Sequence, residues 1–246
     1  MRLVLGFWLC LLCVACAKGP DSQWVKGETG RVVRVMDGDT FALNTGQVVR
    51  LASVEAPSFA YRGRKAMPYA EAAKKTLEAL TLGRDVQLYY PGMTRDRYDR
   101  AIAQVYVLPE AGKKFWLNSR LAENGSVWVR LYPDTASGSE TLWDAERSAR
   151  KSGKGVWRES PPIYSAEDKL PEYGFVITKG KVSMIKPEQG QCYFQLSGYD
   201  FKVKVPASAN NDCPVSMGDT VEARGWLSKN ELRISYRANI QPQPDF

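Results

Sequence analysis

From Gly27 onward, short runs of branched and aromatic residues alternate with turn residues, the pattern of half-buried strands rather than long helices. Residues 31–36 (RVVRVM), 40–43 (TFAL) and 47–51 (QVVRL) are predicted strands, with Asn44-Thr-Gly46 as a turn. The spacing then changes. Ala70, Ala73, Leu77 and Leu80 recur at helical intervals after Pro68, and Gly83 supplies a stop. Strand-like runs return at 86–90 (VQLYY) and 101–107 (AIAQVYV). A second helix is predicted near 115–124, ending at Gly125. A third is predicted from the capping-box spacing Ser137-x-x-Glu140, with Leu142, Ala145 and Ala149 on one face and Gly153-Lys-Gly155 as its end.

Five short strands, one helix after the third and two more at the end predict an OB-type five-stranded barrel with three helices, a mainly β, α+β domain. A Pro-rich stretch beginning Ser160-Pro-Pro162 and running to Pro171 then reads as a linker. Beyond it lie five more strand-like runs: 181–185, 192–196, 201–205, 220–224 and 232–236. Their spacing predicts a second small OB-like barrel. The expected organisation is a leader at 1–17, a polar spacer at 18–26, a first domain at 27–158, a linker at 159–170, a β-domain at 171–242 and a tail at 243–246.

Two features of composition narrow the chemistry. The chain of 246 residues carries a formal charge of +7, which favours polyanionic partners such as nucleic acid or an anionic envelope surface. It contains no histidine. That excludes Ser-His-Asp and Cys-His catalysis, histidine general bases and imidazole metal sites. Residues 1–17 (MRLVLGFWLCLLCVACA) read as a secretory signal peptide with a small-residue cleavage site, so the protein is expected to be secreted or periplasmic. A lipid anchor at Cys16 is a variant of the same expectation. Of the five cysteines, Cys192 and Cys213 lie beyond the leader, where one disulfide or two buried thiols would suit.

Three charged segments stand out. Asp37-Gly-Asp-Thr40 follows a strand and by itself reads as a hairpin turn. Arg50-Leu-Ala-Ser-Val-Glu-Ala-Pro-Ser58 runs from a strand into a proline-stopped loop, and Asp96-Arg-Tyr-Asp-Arg100 enters another strand. Their order, VxDGDT, RLxxVExP and DRYxR, followed by AExxAR at 145–150 and GxW at 155–157, resembles the staphylococcal nuclease (thermonuclease) family over residues 27–157.

The chemistry that this resemblance implies suits those residue types. Phosphodiester hydrolysis builds charge on phosphoryl oxygens, which arginine forks match bidentately at any working pH. A hard cation held by carboxylates and carbonyls would add Lewis acidity. The resemblance implies Arg50 and Arg100 as phosphate-clamping arginines, Asp39, Glu55 and the carbonyl of Ala56 as Ca2+ ligands, and Tyr98 beside a bound nucleotide. It also shows departures. Glu55 is one methylene longer than the family's usual aspartate, and Asp99 replaces a glycine. Above all, Ser58 stands where the family keeps the glutamate that activates water. A serine hydroxyl is a poor base, and no histidine is present to assist it.

Arg62, Arg64 and Lys65 form a basic loop expected to track single-stranded DNA or RNA. In the second domain Lys202, Lys204, Arg224, Lys229, Arg233 and Arg237 are interleaved with Tyr193, Phe194, Tyr199, Phe201, Trp226 and Tyr236. These make either a basic stacking groove or a core of aromatics under solvent-facing charges. The functional expectation is an exported, calcium-assisted phosphodiesterase weakened by Ser58. The alternatives are a nuclease fold that binds nucleic acid or another polyanion without cutting it, and a structural adaptor.

Overall fold

The computed structural model describes residues 22–61, 65–158, 163–188, 191–207 and 212–242. Strands β1 (Val25–Val35), β2 (Thr40–Leu43), β3 (Val48–Leu51), β4 (Asp85–Tyr90) and β5 (Ala101–Leu108) form the first barrel. β1 pairs antiparallel with both β2 and β4, and β4 with β5. Parallel pairing of β3 with β5, in the register Val49↔Ala101, Arg50↔Ile102 and Leu51↔Ala103, closes the ring. Closure satisfies edges that strands this short could not otherwise protect. The two-residue period sends Val49 and Leu51 into the core and leaves Arg50 on the other face. Arg50 therefore emerges where the barrel meets its loops.

Helices α1 (Ala70–Thr81), α2 (Leu117–Glu123) and α3 (Ser139–Lys151) pack around this barrel. α1 buries Ala70, Ala73 and Leu77, as its periodicity predicts. The second predicted helix is shorter than expected, because Phe115–Trp116 extends along β5 as a strand. The capping box at Ser137 does not form. Gly138, at φ 77°, precedes α3 instead, and the Ser137 hydroxyl accepts a hydrogen bond from Trp24 Nε1 at 2.6 Å. Trp24 itself is buried beside Tyr89, Tyr106 and Trp116. The end of the expected spacer thus belongs to the barrel, because an indole there covers an aromatic cluster.

The second barrel comprises β6 (Tyr173–Glu188), β7 (Gln191–Leu196), β8 (Lys202–Val205), β9 (Thr220–Ser228) and β10 (Glu231–Arg233). The long β6 pairs with β9 along its first half and with β7 along its second. Parallel pairing of β8 with β10 closes it, as β3 and β5 close the first barrel. Ile163–Tyr164, expected in the linker, pairs in parallel with β6. A disulfide joins Cys192 on β7 to Cys213.

The second barrel's aromatics divide as core and surface. Phe194, Tyr199 and Phe201 are buried, while Lys202 and Lys204 lie over Tyr193. Arg224 departs from the expected basic groove. It is fully buried between the domains, bonded to Glu146 of α3 and to Glu222. A guanidinium with two carboxylate partners is stable there in a way that a lone buried charge is not. No helix among the described residues is long and apolar enough to cross a membrane.

Candidate active site

Asp39 sits in the hairpin between β1 and β2. Asp37 Oδ1 accepts the Asp39 N–H at 3.0 Å, and the Met36 N–H donates to Thr40 O at 2.9 Å. The turn is pressed against its surroundings at Gly38. A Cβ there would lie 2.7 Å from Cβ of both Ala56 and Ala73, so only glycine allows the approach. That approach lets the Ala56 N–H donate to Asp39 Oδ2 at 2.6 Å, while the Thr40 hydroxyl donates to Oδ1 at 3.0 Å.

Arg50 reaches across this turn. Its Nη1 lies 3.1 Å from Asp39 Oδ2 and donates to the carbonyls of Leu51 and Val54, while Nη2 donates to Glu55 Oε2 at 2.8 Å. Glu55 is placed by a short pairing of Val54–Glu55 with Trp128–Val129. The same pairing carries Arg130 alongside. The Arg130 N–H donates to Ser53 O at 3.0 Å, and its Nη1 donates to Glu55 Oε2 at 2.7 Å.

Arg100 begins β5 after a turn organised by Asp96. One carboxylate oxygen of Asp96 accepts the N–H groups of Tyr98 and Arg100, and the other accepts Arg100 Nε at 2.8 Å. Tyr98 is exposed, with the guanidiniums of Arg97 and Arg100 at 4.8 and 5.5 Å from its ring centre. All these groups face one cleft of about 1130 Å³, which Ser58, Tyr132 and Trp226 also line.

The charges in this cleft are unequal in character. Burial pushes the Asp39 carboxyl up to about 8, against the opposing pull of Arg50. Burial would raise Glu55 too, but Arg130 and then Arg50 outweigh it and hold that carboxyl below its ordinary value. Burial opposes charge on Arg50, and Asp39 and Glu55 more than offset it, so its proton is held more tightly than usual. Asp96 is likewise held low: burial raises it, and the side chain and N–H of Arg100 overcome that.

The structure therefore brings Asp39, Arg50, Glu55 and Ala56 together on one wall, with Arg100 and Tyr98 lining the same cleft. Ser58 is exposed at its edge, and its carbonyl accepts the Met67 N–H at 2.8 Å. Lys65 is exposed and does not line the cleft. Arg62, Arg64, Cys16 and the expected leader lie outside the described residues. Arg130, Tyr132 and Trp226 complete the cleft without having been expected there. The only signal for Arg130 was a short strand-like run, Trp128-Val-Arg130, which belongs to none of the recognised motifs. Trp226 arrives from the second barrel, at a distance in sequence that no local pattern bridges.

Comparison with known proteins matches residues 48–159 to the family of staphylococcal nuclease homologues. The first domain is a member of the staphylococcal nuclease family. The chain is 28% identical to a thermonuclease of Staphylococcus hyicus over 133 residues, 53% of this chain and 76% of that protein. It is 29% identical to a protein of Escherichia coli described as an uncharacterized endonuclease, over 137 residues, 54% of this chain and 80% of that protein. The family match ends before the second barrel, so Trp226 enters the nuclease domain's cleft from outside the matched region.

Whether the nuclease domain's acids suit calcium can be judged from their partners. Calcium takes six to eight oxygens at about 2.3–2.6 Å, with carboxylates as the principal donors. Here Asp39 is engaged by the Ala56 N–H and Arg50, Glu55 Oε2 accepts from two arginines, and residue 58 offers a hydroxyl. No group of three or more acidic, Cys or His side chains suited to a metal occurs among the described residues. As arranged, this donor set does not fit a hard divalent cation.

Proposed function

We propose that this protein is an exported phosphodiesterase that takes single-stranded DNA or RNA into the cleft and hydrolyses it slowly. The observation that carries this reading is the convergence of Arg50 and Arg100 on one cleft that also contains Ser58. Arg50 and Arg100 receive the phosphoryl oxygens and stabilise the charge that grows on them as water adds and a P–O ester bond breaks. The exposed ring of Tyr98 offers a face for a neighbouring base. Ser58 supplies no strong base, so the attacking water loses its proton to bulk water, which also protonates the departing ester oxygen, and turnover is slow.

The implied calcium could take Glu55 Oε2 only by displacing the two arginines that hold that oxygen. Export is supported by the leader-like residues 1–17 and by a disulfide, a bond that persists in oxidising compartments. A second reading, binding without cleavage, is favoured by one observation: Glu55, a carboxylate of the cleft, is paired through Oε2 with both Arg50 and Arg130, which weakens it as a base.

The test is incubation of the mature protein with single-stranded DNA and RNA, with calcium or with chelator, beside an Arg50→Ala control. Cleavage above that control supports hydrolysis. Retention of oligonucleotide binding without any cleavage replaces it with the second reading.

A further inference from the structure

Resting on the cleft as a nucleic-acid site, we infer that Arg130 is a third phosphate-binding arginine, so that the cleft takes a phosphodiester strand without a divalent cation. Three rings surround this guanidinium: Phe175 at 4.8 Å, Tyr132 at 5.2 Å and Trp226 at 6.0 Å from its carbon to their centres. Phe175 and Trp226 are paired with each other across β6 and β9. The second barrel therefore braces a cation inside the nuclease domain's cleft. Aromatic faces hold a guanidinium by its charge while leaving its edge donors for other groups.

Those donors are not exhausted. Nη1 is on Glu55 Oε2 and Nε is buried without a hydrogen-bond partner among the described residues, so with Arg130 lining the cleft its Nη2 is the donor left for an incoming oxygen. A guanidinium bonded to one carboxylate on the cleft wall can donate from its remaining nitrogen to a phosphoryl oxygen. Glu55 is the acid that the family resemblance assigned to a metal, and Arg130 occupies one of its oxygens at 2.7 Å. A cation taking that oxygen would leave a half-buried guanidinium without its carboxylate, an arrangement that burial penalises. Positive charge at this wall is thus built into the chain and needs no ion.

The experiment measures binding of a fluorescent oligothymidylate of about ten nucleotides, a length within the usual site size for such a barrel. Anisotropy is recorded for the full mature protein across a salt series, with chelator and with calcium. The expected result is an affinity in chelator within about threefold of that in calcium. Arg130→Gln should weaken binding roughly ten- to hundredfold and reduce the salt slope by about 0.7, the loss of one phosphate contact to a single strand. Arg130→Lys should recover part of both.

Binding that appears only with calcium overturns the inference while leaving the proposed function standing, as does an Arg130→Gln protein with unchanged affinity and slope. Absence of binding under every condition overturns both. The comparison of chelator with calcium uses the unaltered protein and decides whether a cation is needed even if Arg130→Gln fails to fold, while the charge-keeping Arg130→Lys still reports on the contact. Calorimetric titration with calcium alone gives a second decision: no binding heat is expected, and stoichiometric binding to the wild-type protein overturns the inference.

Discussion

Arg224 of the second barrel donates through Nη2 to Glu146 Oε1 of α3 at 2.5 Å, with both side chains 1% exposed. Around this pair, Arg150 bonds both Glu146 and Glu222, and Glu222 returns to Arg224. Val129 is tied in at both ends: its N–H donates to Glu146 and its carbonyl accepts from Arg224. The cluster is neutral overall and adjoins Arg130 in the chain. It fixes the second barrel to the nuclease domain at the root of the cleft.

Removing one member of such a cluster strands the others. Arg224→Leu leaves Glu146 and Glu222 short of a partner and should destabilise the protein by about 3–5 kcal/mol. Urea unfolding monitored by tryptophan fluorescence would read this as a lower midpoint. A variant as stable as the wild type would show that the cluster contributes nothing to holding the domains together.

Acid should dissolve the same cluster. Burial raises the Glu222 carboxyl, but Arg224 and Arg150 more than offset it and bring it down to about 2 from the ordinary 4.5. A depressed folded value means that the unfolded chain takes up protons first as pH falls. The stabilisation is therefore complete above about pH 4.5 and is lost progressively towards pH 2. Unfolding midpoints should be flat between pH 5 and pH 7 as far as this group is concerned, and should fall more steeply below that range in wild type than in Glu222→Gln.

Restoring a carboxylate at the cleft edge tests whether the remaining machinery is competent. Ser58→Glu should raise cleavage of single-stranded substrate by about 10²–10⁴, the usual contribution of a general base. The gain should appear in kcat more than in KM, because the new group acts on the attacking water. Unchanged kcat in a folded Ser58→Glu protein would show that the cleft binds nucleic acid in a pose unfit for in-line attack.

Asp99 occupies a left-handed backbone position, at φ 60°, and among the described residues its carboxylate pairs with Arg95, at 3.9 Å. Glycine adopts that conformation without a Cβ penalty. Asp99→Gly should be neutral to stabilising, by up to about 1 kcal/mol, and should strengthen oligonucleotide binding modestly by removing a negative charge near Arg100. Thermal melts and anisotropy would check the two effects separately.

Much of this was legible in the linear pattern because it depends on neighbours in sequence. The strands at 31–36, 40–43 and 47–51, the helical spacing of Ala70, Ala73 and Leu77, and the Asp37-Gly-Asp39 turn are local consequences of side-chain shape. The spaced motifs also named Arg50, Glu55 and Arg100 for one site, and the cleft contains all three. Other features depend on partners far away in sequence. Ser137 has the spacing to Glu140 of a helix cap, yet its hydroxyl serves Trp24, 113 residues away. Arg224 looks in sequence like Lys202 and Lys204 and yet is buried, because charge alone does not reveal depth.

By itself, then, the sequence determined the two barrel patterns, the cysteine pair, the absence of imidazole chemistry and the serine in the base position, since each is a property of residue type and short-range order. Only the tertiary structure decided that Glu55 belongs to Arg130 as well as Arg50, that Phe175 and Trp226 brace this arginine, and that Arg224 is buried between the domains. Those outcomes depend on which side chains are desolvated together once distant strands close. The energy of a charge follows its surroundings rather than its place in the chain.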